Sequence, residues 1–227
     1  MAAYTQIIDL FGIPACGKST LAQYMVSHPV GGLRVATMTE CILAARKDKW
    51  RWLRSLSFRD VFASIRLKFA APLDKKRRVI PLWNVIIMGW YKNYVRKFTD
   101  YDIVVTDHGD IQRFVSLERG DNLHESKKFR DACRRYLDVS LSTTYVYCKV
   151  TADVALQRMN GRGRNAGRID LIEDQSLKLQ ELEKEILYFD FWTSLLRDRK
   201  SSLLELNMDD ATSVIVERLF NSLQINE

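Results

Sequence analysis

The chain has 227 residues, 47% hydrophobic and 28% charged. That is long enough for one large α/β domain and too apolar for a disordered chain. Four cysteines without CxxC spacing exclude a disulfide scaffold, and the longest apolar stretch, Val79 to Tyr91, is too short for a bilayer span and holds Pro81 and Asn84. The first residues, MAAYTQIIDLF, carry neither a basic n-region nor a cleavage site, so the expectation is a soluble cytoplasmic protein with free thiols.

The net charge of +7 is unevenly placed. Arg46 to Lys97 holds 15 Lys or Arg against 3 Asp or Glu, a surplus of +12, so the rest of the chain sums to −5. The same segment carries Trp50, Trp52, Trp83 and Trp90, four of the five tryptophans. This asymmetry points to a local anionic partner.

In chain order, Tyr4 to Phe11 is a short apolar run with β-branched residues that ends at glycine, which predicts a buried strand. Lys18 to Ser27 predicts a helix, stopped by His28-Pro29 and Gly31-Gly32. Leu33 to Met38 is a second strand. The basic segment that follows predicts helices. Phe58, Val61, Phe62, Ile65 and Phe69 fall at helical spacing, as do Trp83, Ile86, Ile87, Trp90, Tyr91 and Tyr94, with Pro72 and Pro81 separating the two. Aromatic stripes at this spacing usually face a core, which makes the segment a helical insertion at about 41–99. The other reading is a cationic aromatic surface, spanning 46–97, that grips an anionic membrane.

Ile103 to Thr106 predicts a third strand and Tyr145 to Val150 a fourth. Asp153 to Met159 is a short helix and Gly161 to Arg168 a loop. Asp170 with Glu173 can form a capping box for a helix running to about Asp198. Leu203 to Leu206 is a fifth strand and Asp210 to Leu223 a last helix. Strands alternating with helices imply a five-stranded parallel sheet covered on both faces, with ligands beyond the carboxyl ends of the strands. We expect a single domain over 1–227.

Gly12-Ile13-Pro14-Ala15-Cys16-Gly17-Lys18-Ser19, followed by Thr20, matches G-x-x-x-x-G-K-[ST] between a strand and a helix. Glycines let the backbone approach phosphates, successive N–H groups form an anion nest, and the helix adds its positive end. Lys18 then reaches the β and γ phosphates and the Ser19 hydroxyl can ligate Mg²⁺. The ligand expected on Gly12 to Thr20 is ATP with Mg²⁺.

Asp107 closes the third strand, where an acid suits the same Mg²⁺, directly or through water; the alternative is a helix N-cap. His108 reads as a surface or capping residue. Arg158, Arg162, Arg164 and Arg168 crowd a glycine-rich loop that can close over transferring phosphates. Glu40, after the second strand, is a general base toward an acceptor hydroxyl or a surface glutamate.

These features resemble the P-loop nucleoside and nucleotide kinases, thymidylate kinase in particular. The likeness lies in the order of the GKST loop, Asp107, a D-x-A-L-x-R helix (Asp153 to Arg158), a GRGR loop, and Arg168-Ile169-Asp170 followed by Glu173. It implies a three-layer P-loop fold and phosphoryl transfer from MgATP to a small-molecule acceptor. Lys18, Asp107, Arg162, Arg164 and Arg168 would act in catalysis, Ser19 and Asp107 on the metal, and 158–170 as the lid. The chain departs from the family pattern at Phe11, where deoxynucleoside kinases carry Glu, at Pro14, and at Asp107-His108, where the family has Asp-Arg. A nucleotide or nucleoside is the first acceptor to try. The other function classes are a kinase for a sugar or membrane-linked glycan and a non-catalytic NTP-binding switch. No nucleic-acid partner is expected, and a homodimer is left open.

Overall fold

The computed structural model describes residues 5–56, 58–70, 76–118, 125–139, 143–162, 168–197 and 202–223. Tyr4, Pro72, Arg164 and Asp198 lie outside them. The elements are β1 (Gln6–Phe11), α1 (Lys18–Ser27), β2 (Val35–Thr37), α2 (Met38–Lys47), α3 (Lys49–Ser55), α4 (Phe58–Ala70), α5 (Lys76–Phe98), β3 (Ile103–Thr106), α6 (Asp110–Glu118), α7 (Lys127–Val139), β4 (Thr143–Lys149), α8 (Ala152–Gly161), α9 (Gln175–Arg197), β5 (Leu203–Asn207) and α10 (Thr212–Ser222).

The strands form one five-stranded parallel sheet in the order β2-β3-β1-β4-β5, with helices on its faces. Asp9 lies opposite Thr106, Val35 opposite Ile103, and Cys148 opposite Leu206. β1, β3 and β4 are buried almost end to end, as strands covered on both faces must be.

The chain divides into two compact units. One comprises Met1–Asp9 and Gly32–Thr144, the other Leu10–Gly31 and Tyr145–Glu227. In the first, Ile7, Ala36 and Val104 of the strands meet Met38 and Cys41 of α2 and Met88 and Val95 of α5. Helix α4 packs on α7, and α5 on α6. Tyr136 of α7 donates its hydroxyl to the Val85 carbonyl at 2.6 Å, over Gly89, where a side chain would strike the ring. In the second unit Phe11 stacks on Tyr147 at 5.1 Å, with Phe189 of α9 6.0 Å from it. Phe11 therefore serves packing at the position where the resembled family has Glu.

Four expectations are corrected. Met38 opens α2 instead of closing β2, because Thr37 and Glu40 form a capping box there. Pro81 does not separate helices: α5 starts at Lys76 and runs through it, giving up one backbone bond near its N-terminal end. Helix α9 starts at Gln175, capped by Asp174, whose Oδ1 accepts from the Ser176 and Leu177 amides at 2.8 and 3.0 Å, so Asp170 and Glu173 do not form its capping box. Finally, the aromatic stripe of α4 faces outward. Phe58, Phe62, Ile65 and Phe69 are exposed, while Ala63, Ser64, Leu67 and Ala70 fill the buried side.

Candidate active site

The loop between β1 and α1 is shaped by backbone conformations that most residues avoid. Gly12 and Gly17 have φ of 148° and 105°, and Ala15, at 63°, is the one non-glycine residue with positive φ among the described residues. A Cβ on Gly12 would lie 2.5 Å from the Cys148 carbonyl oxygen, so β4 leaves room for glycine alone. Left-handed turns at Ala15 and Gly17 curl the chain just before α1 begins at Lys18. Such a curl gathers successive N–H groups into a concavity that favours anions, at the positive end of a helix.

Lys18 is 7% exposed and folds back over the loop. Its ammonium donates to the Gly12 and Ile13 carbonyls at 2.8 and 2.9 Å and lies 3.3 Å from the Cys16 sulfur. Ser19 and Thr20 are exposed on the first turn of α1. Cys16 is fully buried, and the Cys148 thiol donates to it. That bond, helped by the Lys18 charge, holds Cys16 down at about 6 against the opposing effect of burial, and it pushes the Cys148 thiol up. Cys41, by contrast, is pushed up to about 12 by burial and by Glu40.

Arg158 braces this loop from α8. It donates to the Met208 carbonyl at 2.9 Å and to the Cys16 carbonyl at 3.5 Å, and it pairs with Asp209 at 3.4 Å. Arg162 is the exposed C-cap of α8. Arg168 pairs with Glu181 of α9 at 2.7 Å and approaches the buried Glu185 at 3.8 Å. The structure thus gathers Arg158 with the phosphate-loop motif and pairs Arg168, in the turn before α9, with glutamates of α9.

In the other unit, Asp107 follows β3 and is half-buried, with His108 exposed beside it. The His108 carbonyl accepts from the Arg113 side chain at 2.9 Å. Glu40 is occupied: its carboxylate accepts from the Thr37 amide at 2.7 Å and the Thr37 hydroxyl at 3.0 Å, closing the α2 capping box. This cap accounts for Glu40 without a proton-transfer role.

One constellation escapes sequence reasoning. Asp9, Lys92 and Asp110 are fully buried, and the Lys92 ammonium donates to Asp9 at 2.9 Å and to Asp110 at 2.7 Å. Asp9 also accepts from the Asp110 amide at 2.9 Å, capping α6. Burial is the largest influence on Asp9 and raises it, with Lys92 pulling the other way. Burial also opposes the Lys92 charge, but the two carboxylates outweigh it and hold Lys92 above the usual lysine range. A Cβ on Gly109 would overlap the Asp9 carboxylate. The available signal was an acid inside the apolar run of β1 and a lysine four residues after Met88 on the core-facing side of α5.

No protein-family model matches the chain, and no curated protein matches it. Solved structures do. A deoxyadenosine kinase from M. mycoides with the products dCMP and a flexible dCDP bound is 13% identical, with a TM-score of 0.53, covering 97% of this chain and 100% of its own. The same enzyme with bound dCTP is 14% identical, with a TM-score of 0.50 and the same coverage. At these identities the likeness is one of fold, shared over nearly the whole chain.

Proposed function

We propose that this protein is an ATP-dependent kinase that transfers the γ-phosphoryl group of MgATP to a nucleoside or nucleotide. The observation that carries the reading is the 12–19 loop, with its left-handed turns, its glycines and a buried lysine at the start of α1. The order of motifs is like that of thymidylate kinase, and the shared fold with an enzyme that binds deoxynucleotides supports the acceptor class. In the reaction an acceptor oxygen forms a bond to the γ phosphorus, the bond to the β–γ bridging oxygen breaks, ADP leaves, and the acceptor's proton passes to solvent or a base. Lys18 would neutralise the β and γ phosphates, and Arg162, Arg164 and Arg168 would answer charge on the transferring group. Ser19 and Asp107 offer hydroxyl and carboxylate oxygens, the hard donors that Mg²⁺ prefers, and Mg²⁺ held by them would supply charge neutralisation to the phosphates.

A second reading, a sugar or membrane-linked glycan as acceptor, is favoured by the exposed aromatic face of α4 in the cationic segment. The test is ADP production from MgATP against a panel of nucleosides, nucleotides and sugars. Acceptor-dependent turnover with a nucleoside or nucleotide supports the first reading, turnover with sugars alone supports the second, and ATP binding without turnover on any acceptor leaves a switch. Asp107→Asn should shift the Mg²⁺ requirement upward by about tenfold while leaving the unfolding midpoint unchanged. Superimposable metal titrations of the two proteins would remove Asp107 from the metal site.

A further inference from the structure

Helix α4 is turned the opposite way from an ordinary surface helix. Its small and aliphatic side, Ala63, Ser64, Leu67 and Ala70, is buried, on a helix that packs against α7. Its large apolar residues point to water: Phe58 is 89% exposed, Phe62 67%, Ile65 44% and Phe69 72%. They recur in steps of four, three and four, so they form one stripe along a helix of 13 residues, about 20 Å long. Arg59, Arg66 and Lys68 are exposed around that stripe. Helix α3, in the same unit, repeats the composition with Trp50, 78% exposed, and Leu53 among the exposed Lys49, Arg51 and Arg54.

We propose that the outward face of α4, with α3 as a second contact, docks on an anionic lipid surface. Exposed Phe, Trp and Ile beside Lys and Arg are the two halves of an interfacial helix, rings at the acyl boundary and cations at the headgroups. Charge complementarity selects this occupant. The exposed Arg59, Arg66 and Lys68 border the stripe, so a second copy laid face to face on α4 would set one cationic rim against another, while an anionic headgroup layer neutralises it. The contact is peripheral, since no helix among the described residues is long and apolar enough to cross a membrane. It is also independent of the kinase reading, because none of these side chains belongs to the phosphate loop.

The experiment is flotation of the full chain with vesicles of phosphatidylcholine alone and of phosphatidylcholine with about one quarter phosphatidylglycerol. The anionic vesicles should bind at least ~10-fold more tightly, and the difference should shrink as salt rises from low to moderate strength. The variant Phe58→Ser/Phe62→Ser/Phe69→Ser should lose binding to both, while circular dichroism and thermal unfolding stay as in the wild type, since the three rings are outside the core. The variant Arg59→Gln/Arg66→Gln/Lys68→Gln should weaken anionic binding on the order of a hundred-fold, at roughly fivefold per cation. Equal binding to both vesicles, or none, overturns the proposal. So does a concentration-dependent dimer in sedimentation velocity that the Phe variant abolishes in a protein that ignores vesicles.

Discussion

Two buried lysines divide the molecule's chemistry between them. Lys92 sits between two carboxylates, Asp9 and Asp110, at 2.9 and 2.7 Å, with all three fully buried. Lys18 is almost as buried but is held by two neutral carbonyls of its own loop and a cysteine sulfur. The first arrangement fixes charge. Each partner would be stranded in a low-dielectric interior if the others left, so the ammonium has nowhere better to go. The second is weakly held by design of its partners: a phosphate offers Lys18 full negative charge, which a carbonyl does not. Burial alone does not separate these two lysines; what does is that Lys92 is held by two buried carboxylates and Lys18 by its own loop's carbonyls and a thiol that can be protonated.

The largest effect should come from breaking the fixed site. Lys92→Met leaves two carboxylates facing each other in the core and should cost about 3–5 kcal/mol in urea unfolding. A loss under about 1 kcal/mol would mean that water or another cation reaches the triad. Lys18→Ala should do the reverse. Unfolding should move far less than for Lys92→Met, by about 1 kcal/mol, because two of the freed partners are neutral carbonyls and the third, Cys16, can take up a proton once the ammonium is gone. ADP production with the active acceptor should fall at least ~100-fold, as for loss of a charge aimed at the transition state. Unchanged turnover would sink the phosphate-loop assignment.

Gly109→Ala sharpens the same contrast at smaller scale. Its Cβ would fall on the Asp9 carboxylate, forcing the acid away from Lys92 and from the α6 amide it caps, at about 1–3 kcal/mol. Gly161→Ala, where nothing lies within reach of a Cβ, is the control. A penalty no greater than that of the control would show that Asp9 can move aside cheaply.

The smallest effect concerns the sulfur beside Lys18. Cys16 titrates at about 6 in the folded chain, below the ~8.5 of an exposed thiol. Its thiolate therefore stabilises the fold fully above the unfolded value, and that contribution is lost as pH falls through about 6. The wild type should gain in urea midpoint over Cys16→Ser as pH is raised from about 6 to about 9. Midpoints that run parallel across this range would show a thiol that stays neutral, leaving Lys18 to its carbonyls alone.

What the sequence revealed follows the range of the forces involved. The turn between β1 and α1 was legible because its signals are local: glycine positions and a helix start within eight residues. The bounds of α1 and β3 came out as read, α1 stopping just before His28-Pro29 and β3 where the apolar run gives way to Asp107-His108. The lysine triad was not legible, because Lys92 finds Asp9 across 83 residues and Asp110 across 18. The stripe of α4 was visible as a period, but period does not say which side of a helix the rest of the fold covers. The α9 cap failed for a related reason: Asp170, Glu173 and Asp174 all offer capping chemistry, and the sequence does not say which of them meets the first helical amides, as Asp174 does.

The two-unit division has a consequence for how the chain is made. The phosphate loop is translated early, yet Arg158, which braces it, arrives 142 residues after Cys16, and Cys148 and Met208 also come late. Until those residues leave the ribosome, residues 12–17 have no β4 carbonyl to press against Gly12 and no arginine to hold Cys16. The segment that is simplest to recognise in the sequence is among the last to acquire its shape, and a nascent chain stopped before β4 would carry the motif without the site.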